Sequence, residues 1–153
     1  MIMSDAYERN LEALRREVES GGARPVAMDA AIAEIVATGD PRSSRDLLSL
    51  LSDSAEHDEG MFSLIHAAEA CDNDAYVSAL LSVFPQLVSS APRWASVILM
   101  RVLNSGSTQS EMVRQLRGAP DSVKGAVSEM CRRINEVSPQ FLSKTIPVTL
   151  ASA

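Results

Sequence analysis

Apolar residues recur in this chain every three or four positions, in runs interrupted by clusters of Gly, Pro and Ser, and such spacing gathers an apolar face only on a helix. Tyr7, Leu11, Leu14 and Val18 open the series, with Ser4 as the expected cap and Gly21-Gly22 as the stop. A second helix is expected over Val26 to Thr38, with Met28, Ile32, Ile35 and Val36 on its inner side and Gly39 at its end. Asp40-Pro41 then reads as the N-cap and first-turn proline of a short third helix, whose Leu47, Leu48, Leu50 and Leu51 predict burial nearly all round. The fourth helix should run from Glu56 to Cys71 and the fifth from Asp74 to Val88, with Pro85 kinking it or ending it early. Pro92 opens a sixth, carrying Trp94, Val97, Ile98, Arg101 and Val102. A seventh is expected over Ser110 to Arg117, and an eighth over Pro120 to Val137 with Val123, Val127, Met130, Cys131, Ile134 and Val137 as its stripe. After Pro139 the chain reads as a short helix or extended segment with a frayed end.

Three Phe, two Tyr and one Trp supply little aromatic bulk, so the core must come from Leu, Val, Ile, Met and Ala, which suits helix packing better than stacked sheets. The expectation is an all-α domain spanning residues 1–153, with seven to eight helices packed as αα-hairpins. Shifted by 33 residues, the sequence places Leu47-Leu48-Ser49 on Leu80-Leu81-Ser82 and Ile65 on Ile98, the period of a helix-pair repeat, while a third copy matches only in hydrophobicity. An irregular bundle and a HEAT-like stack therefore both remain open. Cys71 and Cys131 follow no pairing pattern and are expected as reduced core thiols.

Charge is distributed very unevenly. Between Arg45 and Arg93 there is no Lys or Arg, yet Asp46, Asp53, Glu56, Asp58, Glu59, Glu69, Asp72 and Asp74 all fall there, while the rest of the chain carries 12 acidic and 14 basic side chains. The net charge of −6 thus conceals one strongly acidic segment, which attracts a basic partner and repels nucleic acid. Asp53, Glu56, Asp58, Glu59, Asp72 and Asp74, at the ends of the fourth and fifth helices, are the candidate partner-facing residues. Capping and solubility are the competing reading, strongest for Asp53 and Asp74.

Other chemistries find little support. Glu59, Phe62, His66 and Glu69 fall near one helical line, but neither two histidines at i and i+4 nor a paired Glu-x-x-His set is present, so no metal or other cofactor is expected. The serines lack a Gly-x-Ser-x-Gly elbow, no Gly-rich phosphate loop occurs, and the protein is read as a non-enzyme. Arg114, Arg117, Arg132 and Arg133 are interleaved with Glu111, Glu129 and Glu136, which points to solvated helix faces rather than direct nucleic-acid binding. No apolar run is long enough to span a membrane, and the N-terminus lacks the features of a secretory signal, so a cytoplasmic location is expected. The 33-residue overlay sets Arg101 beside Glu69, and because an arginine among Leu99, Met100, Val102 and Leu103 needs a carboxylate, a structural ion pair is expected.

The run Glu59-Gly60-Met61-Phe62-Ser63-Leu64-Ile65-His66-Ala67-Ala68-Glu69, followed by Tyr76-Val77, Phe84-Pro85-x-Leu87, Ala91-Pro92-x-Trp94-Ala95 and Arg101-Val102-Leu103-Asn104-Ser105, resembles a helical family of bacterial immunity proteins. These act against toxins of contact-dependent growth inhibition and related polymorphic systems. Over residues 45 to 106 the resemblance implies a cytoplasmic, non-enzymatic protein that binds a cognate toxin domain, often a nuclease. A nuclease needs Lys and Arg for phosphate, and an acidic inhibitor competes for those groups by occlusion. A helical-repeat scaffold or regulatory adaptor with no toxin partner is the alternative.

Overall fold

A computed structural model of the protein describes residues 2–153, the side chains of residues 2–5 excepted. The described residues form nine α-helices with no strand, and the internal contacts divide the chain into two compact units, one ending at Cys71 and the other beginning at Asp72.

The first unit holds α1 (Ile2–Arg16), a π-helical turn (Glu17–Gly21), α2 (Pro25–Ala37), α3 (Ser43–Leu48) and α4 (Asp58–Ala68). α1 packs on α2, α2 on α4, and α3 on α4. Tyr7, Leu11, Leu14 and Val18 are buried as the spacing required, and so are Met28, Ile32 and Ile35 of α2, Leu47 and Leu48 of α3, and Leu64 and Ile65 of α4. Two buried hydroxyls pin α3: Tyr7 donates to Asp46 Oδ2 at 2.7 Å, and Ser44 donates to the Ala68 carbonyl at 2.8 Å. Several local expectations change. Ser4 lies inside α1 rather than ahead of it, and its expected capping side chain falls outside the described residues. Val36 is 40% exposed, because α2 buries only the line through Met28, Ile32 and Ile35. Asp40 forms a turn ahead of α3 rather than its cap, accepting the Arg42 N–H on Oδ1 at 2.8 Å, and the helix proper starts at Ser43. Cys71 is exposed past the end of α4, so it is a free thiol but not a core one.

The second unit comprises α5 (Asn73–Ser90), α6 (Pro92–Leu103), α7 (Gly106–Leu116), α8 (Asp121–Val137), a 3-10 turn (Pro139–Phe141) and α9 (Leu142–Ala151). α5 is its axis, packed against α6, α7 and α8, while α9 lies on α7 and α8. The α3–α4 and α5–α6 pairs stand about 33 residues apart in sequence, and within the second unit α7 and α8 pack chiefly on α5, α6 and α9, which makes this unit a bundle. Pro85 does not break α5. Val83, Phe84 and Leu87 around it are buried, and at about 1.5–3 kcal/mol per buried side chain their packing outweighs the roughly 3 kcal/mol cost of an interior proline. The segment after Pro139 is docked through buried Val148 and Thr145, whose hydroxyl donates to Asn135 Oδ1 at 2.8 Å. Val137, placed in the α8 stripe by its spacing, is 84% exposed, since the helix ends there and the chain turns away.

Candidate functional site

The acidic segment is split between the units. In the first unit Asp53, Glu56, Asp58 and Glu59 follow one another through the α3–α4 loop into the first turn of α4; in the second, Asp72 and Asp74 open α5. The loop is anchored from beneath by buried Leu50, Leu51 and Met61, and the Ser52 N–H reaches Met61 Sδ at 3.4 Å. Ser52 Oγ accepts the Ser54 N–H and the Ser52 carbonyl accepts that of Ala55, a tight polar turn. This alternation of apolar anchors and turn formers leaves Asp53, Glu56 and Glu59 exposed and Asp58 half-buried.

Capping accounts for few of these carboxylates. The N-cap of α4 is His57, not Asp53, and it makes no side-chain cap bond. Asp58 and Glu59 in the first turn complement the helix dipole, a modest effect of about 0.3–1 kcal/mol. Asp72 occupies the N-cap of α5 without a side-chain cap bond, and Asp74 Oδ1 accepts only the next N–H, that of Ala75, at 2.9 Å. The opening of α5 is fixed instead through Asn73, which donates to the Ser107 carbonyl at 3.0 Å and accepts from Thr108 at 2.8 Å.

Outside the acid-only segment Glu19, Asp29, Glu34 and Asp121 are exposed without an ion pair among the described residues, and other carboxylates are matched locally by arginines: Glu12 by Arg15, Glu17 by Arg24, Asp40 by Arg42, Glu111 by Arg114, and Glu129 with Glu136 by Arg132. These pairs hold Glu111 and Asp40 below the ordinary carboxylate range, chiefly through the arginine hydrogen bonds. Glu129 is brought to about 2 by Arg132 in the same way. Within the segment, Glu56, Glu59 and Asp72 are exposed and have no cationic partner among the described residues. Glu69 is half-buried at the end of α4 and Arg101 half-buried in the last turn of α6, so the two residues of the expected ion pair belong to different units. Phe62 and His66 lie on one line of α4 with their rings 6.4 Å apart, and no cluster of three metal-ligating side chains occurs among the described residues. No described helix is long and apolar enough to cross a membrane.

One feature of this region has almost no sequence signal. The turn after the π-helical segment presses on the start of α4: the Gly22 carbonyl accepts the His57 N–H at 2.8 Å, and a Cβ placed on Gly60 would lie 1.9 Å from the Ala23 oxygen. Ala23 itself is fully buried with φ +68°, a left-handed conformation that disfavours a side chain. The only hint in the sequence is a lone glycine, Gly60, inside a helical run, where glycine costs about 1 kcal/mol relative to Ala.

A family model described as immunity protein 30 matches residues 21–112, which takes in the whole acid-only segment and well over half of the chain. No curated protein and no solved structure matches.

Proposed function

Because the chain belongs to the immunity protein 30 family, whose name implies a cognate toxin, we propose that it neutralises a toxin domain by binding and occluding the basic surface of a nuclease, without chemistry of its own. The observation that supports this is the acid-only segment, in which Glu56, Glu59 and Asp72 are exposed and have no cationic partner among the described residues and no Lys or Arg lies nearby in sequence. Maintaining like charges without counterions is unfavourable for the isolated protein and favourable once a basic surface arrives. Asp53, Asp58 and Asp74 are the remaining candidate toxin-facing residues. Such a field accelerates encounter, and since it is screened over about 8 Å at physiological ionic strength, the acceleration must fall with salt.

The test is a pull-down with the C-terminal fragment of a large exported protein, if the neighbouring upstream reading frame encodes one, followed by association kinetics. Replacing Glu56, Glu59 and Asp72 with Gln, Gln and Asn should leave a folded protein whose on-rate drops about tenfold at low salt and loses most of its salt dependence. Capture of a partner with no toxin activity would favour the adaptor reading. An unchanged, salt-insensitive on-rate would place the binding face elsewhere.

A further inference from the structure

Glu17 and Arg24 form a clasp that the charge argument does not use. Glu17 Oε2 accepts the Arg24 backbone N–H at 2.9 Å and its Nε at 3.0 Å, and Oε1 accepts Nη2 at 2.8 Å, so one carboxylate takes three bonds from one residue. The Glu17 side chain is only 10% exposed, and these bonds hold its carboxyl down to about 2. Between the two residues the chain passes through the π-helical turn, Gly22 at φ +79° and Ala23 at φ +68°. Two consecutive left-handed residues, the second of them an alanine, do not persist without restraint. The restraint is the clasp, reinforced by the Ala23 N–H donating to the Glu17 carbonyl at 3.1 Å.

The turn held in this way fixes the acidic loop from one side. Its Gly22 carbonyl takes the His57 N–H, its Ala23 carbonyl rests where Gly60 has no side chain, and Glu56 Cβ lies 2.8 Å from where a Gly22 Cβ would be. Glu56 thus lies against Gly22 and immediately before the His57 contact, held by residues that carry none of the acidic face themselves. We propose that the Glu17–Arg24 clasp is a positioning device for the toxin-facing loop: it sets how long a bound toxin stays, not how fast it arrives. The inference rests on the reading of the acidic face given above. Encounter depends on the long-range field, which survives loosening of the loop, whereas dissociation depends on short-range fit, which does not.

The charge-neutral pair Glu17→Ala with Arg24→Ala separates the two. Amide hydrogen exchange at His57 and Gly60 should speed up about tenfold or more while Leu64 and Ile65 exchange as before. The toxin domain captured by the wild-type chain should dissociate about tenfold faster, with an association rate within about twofold of wild type. Arg24→Lys keeps the charge and the backbone bond and should fall between; it carries the test if circular dichroism shows the double variant unfolded. Unchanged exchange at His57, or faster exchange with unchanged dissociation, would overturn the proposal. If Glu56→Gln with Glu59→Gln slows association while the clasp variants behave as wild type, only the positioning role fails. If those charge variants bind as wild type does, the acidic-face reading fails and the proposal goes with it.

Discussion

Replacing Tyr7 with Phe removes one oxygen and leaves the ring, 2% exposed, in place, so the experiment isolates the hydrogen bond to Asp46. A bond to an ionised acceptor contributes about 1.5–3 kcal/mol. Asp46 keeps Arg45 at 3.3 Å and its side chain is 18% exposed, so water relieves part of the loss and the expected cost is the low end, about 1.5 kcal/mol at pH 7. For a protein of this size that lowers Tm by about 3–6 °C. The pH dependence sharpens the test. Burial first, and then the bond to Asp46, raise the Tyr7 hydroxyl well above the ordinary tyrosine value near 10, so the neutral form is favoured by folding. A group with a raised folded value contributes fully below its unfolded value and loses that contribution as pH climbs through the folded one. Wild-type stability should therefore fall by about 1.4 kcal/mol between pH 9 and pH 11 on account of Tyr7 alone, and the Phe variant should not share that fall. Other alkaline groups are common to both proteins and cancel in the difference. Urea denaturation followed by far-ultraviolet circular dichroism is the suitable assay, because Trp94 fluorescence reports on the second unit and Tyr7 belongs to the first. The two stability curves should differ at pH 7 and nearly meet at pH 11. A gap that is absent at pH 7, or that persists undiminished to pH 11, refutes the reasoning.

Gly60→Ala should destabilise the first unit by about 1–3 kcal/mol or more, since its Cβ would lie 1.9 Å from a backbone oxygen that cannot rotate away; thermal melting checks this, and an unshifted midpoint would mean that the turn at Ala23 moves freely. Thiol labelling at pH 8 should modify Cys71 within minutes and Cys131 only on unfolding, because Cys131 is 1% exposed and burial pushes its thiol up to about 11. Equal labelling rates would contradict the placement of α8. Thr145→Val keeps the shape of a fully buried side chain and removes its bond to Asn135, so exchange of the α9 amides should rise at a cost of about 1–2 kcal/mol, and unaltered protection would show that Val148 alone docks the helix.

Helix class and most of the core were readable because they depend on local spacing. The α1 line through Tyr7, Leu11, Leu14 and Val18 and the α8 line through Val123, Val127, Met130, Cys131 and Ile134 are buried as their spacing requires. The misses fall where an energy term beyond local spacing decides. Pro85 carries a local penalty, but Phe84 and Leu87 are held by tertiary packing that the local rule does not count. Val36 and Val137 share the chemistry of their buried neighbours, but Val36 lies off the buried line of α2 and Val137 is the last residue of α8, where the chain turns away. Asp40 has the residue type of a helix cap, yet Arg42 supplies a nearer donor and turns it into a link ahead of α3.

The candidate site divides along the same boundary. Charge is additive and long-ranged, so an acid-only segment is legible as a list of residues before any fold is known, and the absence of Lys and Arg between Arg45 and Arg93 already guarantees that no neutralisation can come from within it. Shape is not additive. That Glu56 is seated against Gly22, and that Gly60 must lack a side chain, follow from a backbone approach between the π-helical turn and α4, and nothing in the spacing of either segment announces the other. Gly21-Gly22 reads in sequence as a helix stop, and Gly22 does stop the helix, with φ +79°. The same residue also carries the carbonyl that holds His57, so a glycine chosen for its own conformation acquires a second role from what its turn touches. A partner that binds this chain through charge alone should therefore tolerate changes at Glu17, Arg24 and Gly60, and one that fits its surface should not.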